Sequence, residues 1–237
     1  YLTLLNPHMS LLSNIDELFF DDSHAMLRTE HNELYDTLFK RPDNYLTVIR
    51  LLVQRKEGYT RKEISEQTGL GGAALTKILS DLEQCDFVLP YARYGNKRNN
   101  TIYRIKDFYT LFFYKYIQGV DTKDPHRWTH LSSSQQVVSW QGFSFELLCL
   151  MHLDEIKQAL GIDRILNDSS AWRSRQDGHG TQIGLVIERA DRNINICEMK
   201  FSGTPYIINA DYERRLRERI AIFRAETATR CSTRMTM

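Results

Sequence analysis

The sequence predicts an α+β fold, in which a helical first part precedes a domain of mixed helices and strands. Apolar residues recur at helical spacing through most of the first 85 positions. Short strand-like runs follow on both sides of two turn segments, near residues 96 and 191. With 237 residues, 42% of them hydrophobic, the chain can form one large domain or two small ones.

Composition excludes several classes of protein. The formal net charge of +1 provides no overall field that would indicate nucleic acid or an anionic membrane as a partner. The apolar runs are too short to span a bilayer, and no signal peptide is visible. The four cysteines are far apart and form no CxxC pair, which is typical of reduced thiols. We therefore expect a cytoplasmic protein without a membrane partner.

The first segment, residues 1–40, contains two short helical patterns, "SLLSNIDELFF" and "LRTEHNELYDTLF". Neither could bury a core alone, so this segment is interpreted as a helical connector that follows an upstream domain.

Residues 41–118 predict a winged helix-turn-helix module. Three helical patterns occur in order, "NYLTVIRLLVQR", "TRKEISEQTGL" and "AALTKILSDLEQCDFV". Thr60 and Glu63 have the spacing of a capping box at the start of the second helix. "VLPYARYG" and "TIYRIK" then predict a hairpin with the basic turn "GNKRNN" at its tip. An aromatic helix, "DFYTLFFYKYIQ", completes the module.

Positive charge is concentrated in this module. Residues 44–106 hold eleven Lys and Arg against six Asp and Glu, whereas the whole chain is nearly neutral. This asymmetry suits a surface that faces phosphates. The candidate DNA-contacting residues lie on the helices and at the wing tip: Arg61, Thr76, Lys77, Ser80, Lys97 and Arg98. Because Asp81 and Glu83 would repel DNA along the same helix, a protein-interaction or oligomerisation role remains the alternative.

The polar stretch 119–137 is interpreted as a linker, and residues 138–237 as the last domain. A long helix begins this domain and ends near Gly161. The segment "NDSSAWRSRQDGHG" is interpreted as a polar loop, and two apolar strands joined across "ADRN" predict a hairpin. An amphipathic helix follows, and truncation of this domain at its C-terminus is left open.

Two charged residues interrupt the apolar face of the second hairpin strand. In "INICEMKFSG", residues 194–203, Glu198 and Lys200 share the strand face of Ile194 and Ile196. The two charges could be solvated at a strand end, or they could form an ion pair. They could also belong to a phosphodiesterase site, in which the carboxylate binds Mg²⁺ and the Lys stabilises charge on phosphorus. A lone E-x-K motif does not separate these interpretations.

The motifs around this strand resemble those of one protein family. "WQGFSFE", which contains Glu146, is followed by "TQIG" and "CEMKFS". This order is similar to that of prokaryotic (archaeal-type, Bacteroidetes-like) AAA+ ATPases, whose C-terminal PD-(D/E)XK nuclease-like domain has no assigned function. The resemblance covers nearly the whole chain, because "YLTLLNPHMSLLSNIDELFF" is similar to the segment after the ATPase lid and a winged helix lies between the two. It implies Glu146, Glu198 and Lys200 as catalytic residues, and Glu146 and Glu198 as Mg²⁺ ligands.

Two departures from the family pattern change this expectation. No G-x-x-x-x-G-K-[ST] phosphate loop occurs, so the chain should not hydrolyse ATP, and ATP would bind only in an upstream domain. The family usually has Asp within "QIDL", where this chain has Gln182, Ile183, Gly184 and Leu185. Because Gly184 has no ligand atom, we expect an impaired nuclease-like site. The expected function is a DNA-associated C-terminal region of an AAA+ ATPase. The alternatives are a protein-interaction or self-association region and an active Mg²⁺-dependent nuclease.

Overall fold

A computed structural model describes residues 2–95, 101–120, 123–174 and 181–237. The fold is mixed α+β, with helices and two sheets, as the sequence predicts. The chain divides into two compact units. The first comprises Tyr1–Pro90 and Tyr103–Trp140, and the second comprises Tyr91–Ile102 and Gln141–Met237.

The first unit is mainly helical, with a small sheet in the strand order β1-β3-β2. Its elements follow one another along the chain as α1 (Leu11–Phe19), α2 (Glu30–Leu38), α3 (Pro42–Leu52), β1 (Tyr59–Thr60), α4 (Arg61–Thr68), α5 (Gly72–Gln84), β2 (Val88–Tyr91), β3 (Ile102–Ile105), α6 (Phe108–Phe112), a π-helical segment (Phe113–Ile117) and α7 (Arg127–Leu131). The last residue of β2 and the first of β3 fall within the second unit. Both short helices predicted in residues 1–40 are present as α1 and α2.

Local sequence signals account for the boundaries of α4 and α5. The Thr60 hydroxyl accepts a hydrogen bond from the Glu63 backbone, and the Glu63 carboxylate accepts one from the Thr60 backbone, so the predicted capping box is confirmed. Gly69 ends α4 with a φ of +72°, a left-handed conformation that glycine adopts without steric cost. Along α5, Leu75, Ile78, Leu79 and Leu82 are buried, whereas Cys85 is exposed.

The stretch interpreted as a linker contributes to the core of the first unit. Within residues 119–137, α7 buries Trp128 in an aromatic cluster with Phe112 and Tyr116. The start of α7 is held by Asp16, whose carboxylate accepts hydrogen bonds from the Trp128 backbone at 2.7 Å and the Thr129 hydroxyl at 2.5 Å. The polar, proline-containing composition of residues 119–137 therefore gave no indication that part of this stretch is a packed helical turn.

The second unit is built around a four-stranded sheet with the order β4-β5-β6-β7. Its elements are α8 (Gln135–Met151, which begins in the first unit), α9 (Leu153–Ala159), β4 (Asn167–Arg173), β5 (Gln182–Arg189), β6 (Asn193–Cys197), α10 (Ala210–Thr227) and β7 (Ser232–Thr236). Strand β5 is antiparallel to both β4 and β6, and β7 is parallel to β6. The hairpin predicted across "ADRN" is confirmed, with Arg192 at a φ of 61° in its turn.

In the second unit, the sequence interpretation missed two strands and one helix break. The first part of the segment interpreted as a polar loop is β4, which buries Ser170 and Trp172 and pairs with β5, the next strand in the chain. Strand β7 follows α10 and pairs with β6, and local sequence patterns do not predict a pairing between segments so far apart. The long helix predicted from residue 139 is broken at His152 into α8 and α9.

Residues 92–94 extend the sheet of the second unit. The Tyr94 backbone N–H donates to Ala171 O at 2.8 Å, and the Ala171 N–H donates to Ala92 O at 2.9 Å, in a parallel bridge beside β4. The Tyr94 ring packs edge-on against Phe223 of α10. These contacts cover part of the outer edge of β4, which would otherwise present unpaired backbone groups.

No helix in the described ranges is long and apolar enough to cross a bilayer.

Candidate functional site

Glu198 lies immediately after β6 rather than within it. The strand ends at Cys197, and the next N–H, that of Glu198, donates to Thr236 O of β7 at 2.9 Å. The pairing of Leu185 with Cys197 places Gly184 at the register position opposite Glu198. Glu198 and Lys200 were expected inside the strand. The structure places them at its end, where the backbone is still fixed by β7.

The Glu198 carboxylate is surrounded by three donors. Its Oε1 atom accepts a hydrogen bond from the Tyr212 hydroxyl at 2.5 Å and lies 2.9 Å from Lys200 Nζ. Its Oε2 atom is 2.6 Å from Arg219 Nη1. The side chain of Glu198 is only 14% exposed, so both oxygens are satisfied by protein groups rather than by water. The ion-pair interpretation of Glu198 and Lys200 is thus realised, with Arg219 as a second cation.

The protonation states follow from these contacts. Burial acts to raise the pKa of Glu198, but hydrogen bonds from Tyr212 and Lys200 and the charge of Arg219 outweigh it and hold the pKa below its usual range. Burial acts to lower the pKa of Lys200, but its contacts with Glu198 and Tyr212 raise it overall. Glu198 is therefore ionised and Lys200 protonated at neutral pH, and together with Arg219 the cluster has a net positive charge.

Helix α10 provides the residues that the sequence interpretation missed. The sequence identified this helix only as amphipathic and gave none of its residues a part in the site. In the structure Tyr212, Leu216, Arg219 and Phe223 follow one another at spacings of four, three and four residues. Residues at these spacings lie on one face of a helix, so Arg219 is on the same face as Tyr212. The Tyr212 ring is also approached by Lys200 Nζ and by the Arg215 guanidinium, each 5.2 Å from its centre.

Glu146, on α8, lies directly against Gly184. A Cβ atom built on Gly184 would be 2.7 Å from Glu146 Oε1 and 3.5 Å from the terminal methyl of Met199. The carbonyl of Gly184 accepts a hydrogen bond from the Tyr91 hydroxyl at 3.1 Å. The space into which a side chain at position 184 would extend is thus bordered by the carboxylate of Glu146.

The residues present do not fit a Mg²⁺ centre. Mg²⁺ requires oxygen ligands from carboxylates or water. Gly184 provides no ligand atom, and both oxygens of Glu198 are engaged by cations that would repel a divalent ion. In the described part of the chain, no group of three or more His, Cys, Asp or Glu side chains is arranged to hold a metal.

The candidate DNA-contacting residues on α4 and α5 are close together. Arg61 donates to Gly72 O at 2.9 Å and to the Thr76 hydroxyl at 3.1 Å, which joins the start of α4 to the start of α5. Lys77 is exposed and pairs with Asp81 at 2.7 Å. The Ser80 hydroxyl accepts a hydrogen bond from the Gln84 amide at 3.3 Å. The two wing-tip candidates, Lys97 and Arg98, lie outside the described residues.

Ion pairs engage several basic side chains of this module. Each pair joins a Lys or Arg to a nearby carboxylate, and the pairs are Arg55–Glu63, Lys62–Glu66, Lys77–Asp81 and Lys106–Asp86. The surplus of basic over acidic residues already counts these carboxylates. A phosphate would nevertheless have to compete with them for the paired basic side chains, which weakens the local attraction for DNA without changing the net charge.

Two groups of candidate residues therefore exist, one in each unit. The first unit brings Arg61, Thr76 and Lys77 together on an exposed surface. The second unit joins Glu198 to Lys200 and places Glu146 at Gly184. Comparison of the chain with protein-family models, with curated proteins and with solved structures finds no significant match.

Proposed function

We propose that the chain is the DNA-associated C-terminal portion of an AAA+-type ATPase. In this proposal a winged helix in the first unit contacts duplex DNA. The second unit is a nuclease-like domain that has lost its metal centre, and ATP binds only in an upstream domain.

The arrangement of the first unit supports the winged-helix assignment. Helices α3, α4 and α5 precede the hairpin strands β2 and β3, and the short strand β1 between α3 and α4 joins the same sheet. In a helix-turn-helix protein, the second helix of the motif enters the major groove by its N-terminal residues. In this chain that helix is α5.

The exposed surface of α5 is the observation that carries the proposal. Ala73, Ala74, Thr76 and Lys77 are exposed in its first two turns, while Leu75 and Ile78 on the opposite side are buried. Small side chains allow a helix backbone to approach base edges closely, and Thr and Lys can donate hydrogen bonds to bases or phosphates. The helix is held in place by its buried leucines and by Arg61, which bonds to Gly72 O.

The ion pair between Lys77 and Asp81 allows a specific test of DNA binding by α5. Asp81 accepts hydrogen bonds from Lys77 and from the Tyr45 hydroxyl, and these bonds lower its pKa, so it is ionised at neutral pH. Asp81→Asn removes the negative charge and still offers an oxygen to Tyr45. We expect this substitution to strengthen DNA binding several-fold, and Lys77→Ala to weaken it for all sequences alike.

The measurement is fluorescence anisotropy of the full chain with a labelled duplex at several salt concentrations. The matched control is Glu213→Gln, which breaks the exposed pair with Arg217 on α10 and makes the same charge change. Affinity that falls steeply with salt, and that rises with Asp81→Asn but not with Glu213→Gln, supports the proposal. No binding at low salt, or equal effects of both substitutions, would contradict it.

An interaction role is the second candidate, because the second unit exposes an apolar segment after Glu198. Phe201, Tyr206, Ile207 and Ile208 are all exposed, and Ile207 reaches 84%. Clustered exposed apolar side chains often mark contact surfaces. Light scattering after size-exclusion chromatography tests this role for self-association: Ile207→Asp should reduce any oligomer of the wild-type chain and leave a monomer unchanged.

A further inference from the structure

The histidine pair His126 and His130 has the sequence spacing of a metal-chelating motif. The segment "HRWTH" places two imidazoles four residues apart, and residues four apart are neighbours on a helix surface. His126 is the N-cap of α7, and His130 lies in its last turn. Both side chains are exposed, with ring centres 6.4 Å apart.

Asp124 orients the second of these rings. Its Oδ2 atom lies 2.9 Å from His130 Nδ1, and its Oδ1 atom accepts the backbone N–H of His126 at 3.0 Å. A carboxylate on Nδ1 favours the tautomer in which Nδ1 holds the proton. The Nε2 lone pair then points away from Asp124 and is available to a ligand. A carboxylate behind a ligating His is the usual arrangement of metal sites, and it makes the imidazole a better donor.

The helix that supports the pair is firmly anchored. Between the two histidines, Trp128 is buried among Phe112 and Tyr116, and the Asp16 carboxylate holds the backbone of Trp128 and the hydroxyl of Thr129. The histidines therefore project from a turn whose opposite side is fixed in the core. Fixed attachment reduces the entropy that is lost when two side chains converge on one ion.

We propose that His126 and His130 form a two-imidazole site for a divalent transition-metal ion. With metal–nitrogen bonds of about 2.0–2.1 Å, two neighbouring imidazole ligands on one ion have ring centres closer than the present 6.4 Å, and rotation of the exposed side chains can bring them together. Imidazole selects Ni²⁺, Cu²⁺ and Zn²⁺ over Mg²⁺ and Ca²⁺, which prefer oxygen ligands. Water fills the remaining coordination positions, and Asp124 acts as the positioning residue behind His130.

The site is independent of the function proposed above. It uses no residue of α4, α5 or the Glu198 cluster, so the failure of one proposal leaves the other unaffected. The metal site also accounts for the position of Asp124, whose carboxylate accepts the backbone N–H of His126 and contacts the ring of His130. The DNA proposal does not use this carboxylate.

Isothermal titration of the full chain with Ni²⁺ tests the site. We expect one ion per chain and no heat with Mg²⁺ under the same conditions. His126→Ala and His130→Ala should each weaken Ni²⁺ binding at least tenfold, because a single imidazole remains. Asp124→Asn should weaken it several-fold, since the neutral amide is a poorer acceptor behind the ring.

Two control variants make the result decisive. His24→Ala removes another exposed histidine that lies 3.5 Å from a carboxylate, that of Asp21, but has no histidine four residues away. It should leave Ni²⁺ affinity unchanged. Cys85→Ser removes an exposed thiol that could bind the same ion. Loss of binding in Cys85→Ser, or equal affinity of the wild type and both histidine variants of the pair, would overturn the proposal. All these positions are exposed, and thermal denaturation without metal verifies that each variant is folded.

Discussion

The carboxylate of Glu146 occupies the space into which a side chain at Gly184 would extend, with its Oε1 atom 2.7 Å from the ideal Cβ position. The side chain of Glu146, on α8, is thus in close contact with the backbone of Gly184. Any larger residue at position 184 must displace the end of the Glu146 side chain. This relationship makes the two positions energetically coupled.

Gly184→Ala should therefore stabilise the chain less than a change from glycine to alanine in a strand usually does, because the end of the flexible Glu146 side chain has to shift. The usual gain in the free energy of unfolding is about 0.5–1 kcal/mol, and the overlap with Glu146 Oε1 should cancel part or all of it. In a Glu146→Ala background the same substitution should be at least about 0.5 kcal/mol more favourable. Urea denaturation of the four chains in this double-mutant cycle measures the coupling.

The control for this cycle is Gly142→Ala on α8, where a Cβ atom would meet nothing within 4 Å. That substitution should stabilise the helix by about 0.5–1 kcal/mol. If Gly184→Ala stabilises the chain as much as Gly142→Ala does, or if its effect on the free energy of unfolding is the same with and without Glu146, the contact between Gly184 and Glu146 has no energetic consequence.

Glu198→Gln should be destabilising in a pH-dependent way. The neutral amide leaves Lys200 and Arg219 without their common counter-charge. The expected cost at neutral pH is about 1–3 kcal/mol, less than for a fully buried pair because both cations are partly exposed. Because the pKa of Glu198 is lowered in the folded state, its contribution is complete above the unfolded value of 4.5 and is lost as the pH falls through the folded value.

The measurement is urea denaturation of wild type and Glu198→Gln from pH 7 to pH 3. The difference in free energy of unfolding should shrink below pH 4.5. Glu213→Gln, in which an exposed pair is broken, should cost no more than about 0.5 kcal/mol at neutral pH. If the difference in free energy of unfolding between wild type and Glu198→Gln is constant from pH 7 to pH 3, the ion pairs of Glu198 do not cause the loss of stability in acid.

The chain should show no Mg²⁺- or Mn²⁺-dependent cleavage of DNA or RNA, because position 184 has no ligand atom and Glu198 is bound by two cations. Nicking of supercoiled plasmid by the purified chain is a sensitive assay. Gly184→Asp is the informative gain-of-function variant. Its new carboxylate should raise the affinity for Mn²⁺, since two converging carboxylates hold a hard cation better than one. Cleavage by the unmodified chain that Lys200→Ala abolishes would show that the site is active.

His31 should make the first unit sensitive to mild acid. It is 1% exposed, and its ring stacks on Phe113 at 4.0 Å. Among the described residues, no hydrogen-bond partner lies at its Nε2. Burial lowers the pKa of His31 below 6.5, with Asn32 and Asp107 opposing this effect and the charge of Arg50 adding to it. The stability contributed by the neutral ring is complete above pH 6.5 and is lost as the pH falls through the folded pKa, by up to about 1.4 kcal/mol per pH unit.

His31→Phe keeps a ring that can stack on Phe113 but has no proton to bind. The free energy of unfolding of this variant should change less between pH 6.5 and pH 5 than that of the wild type. His24→Gln, at an exposed position, should retain the acid sensitivity of the wild type. An unchanged pH profile in His31→Phe would assign that sensitivity to other groups.

Features that depend on nearby residues could be predicted from the sequence. Helices α1 to α5, the capping box of Thr60 and Glu63 and the hairpin of β5 and β6 follow from periodicity, capping and turn residues within a few positions of one another. The spacing of His126 and His130 is equally local, but the sequence interpretation overlooked it in a stretch with the composition of a linker. The contact of Asp124 with His130 and the burial of Trp128 became apparent only in the structure.

Only the tertiary structure decided what the charged residues after β6 do. The sequence placed Glu198 and Lys200 two residues apart, which left an ion pair and a metal site both open. Arg219, Tyr212 and Glu146 reach these positions through helix packing, and β7 reaches Glu198 by pairing with β6 from 35 or more residues away in the chain. Local propensity accounts for the predicted helices and the hairpin of β5 and β6. The free energy of a buried charge depends on the groups that the fold brings to it, and those groups made Glu198 an ion-pair centre.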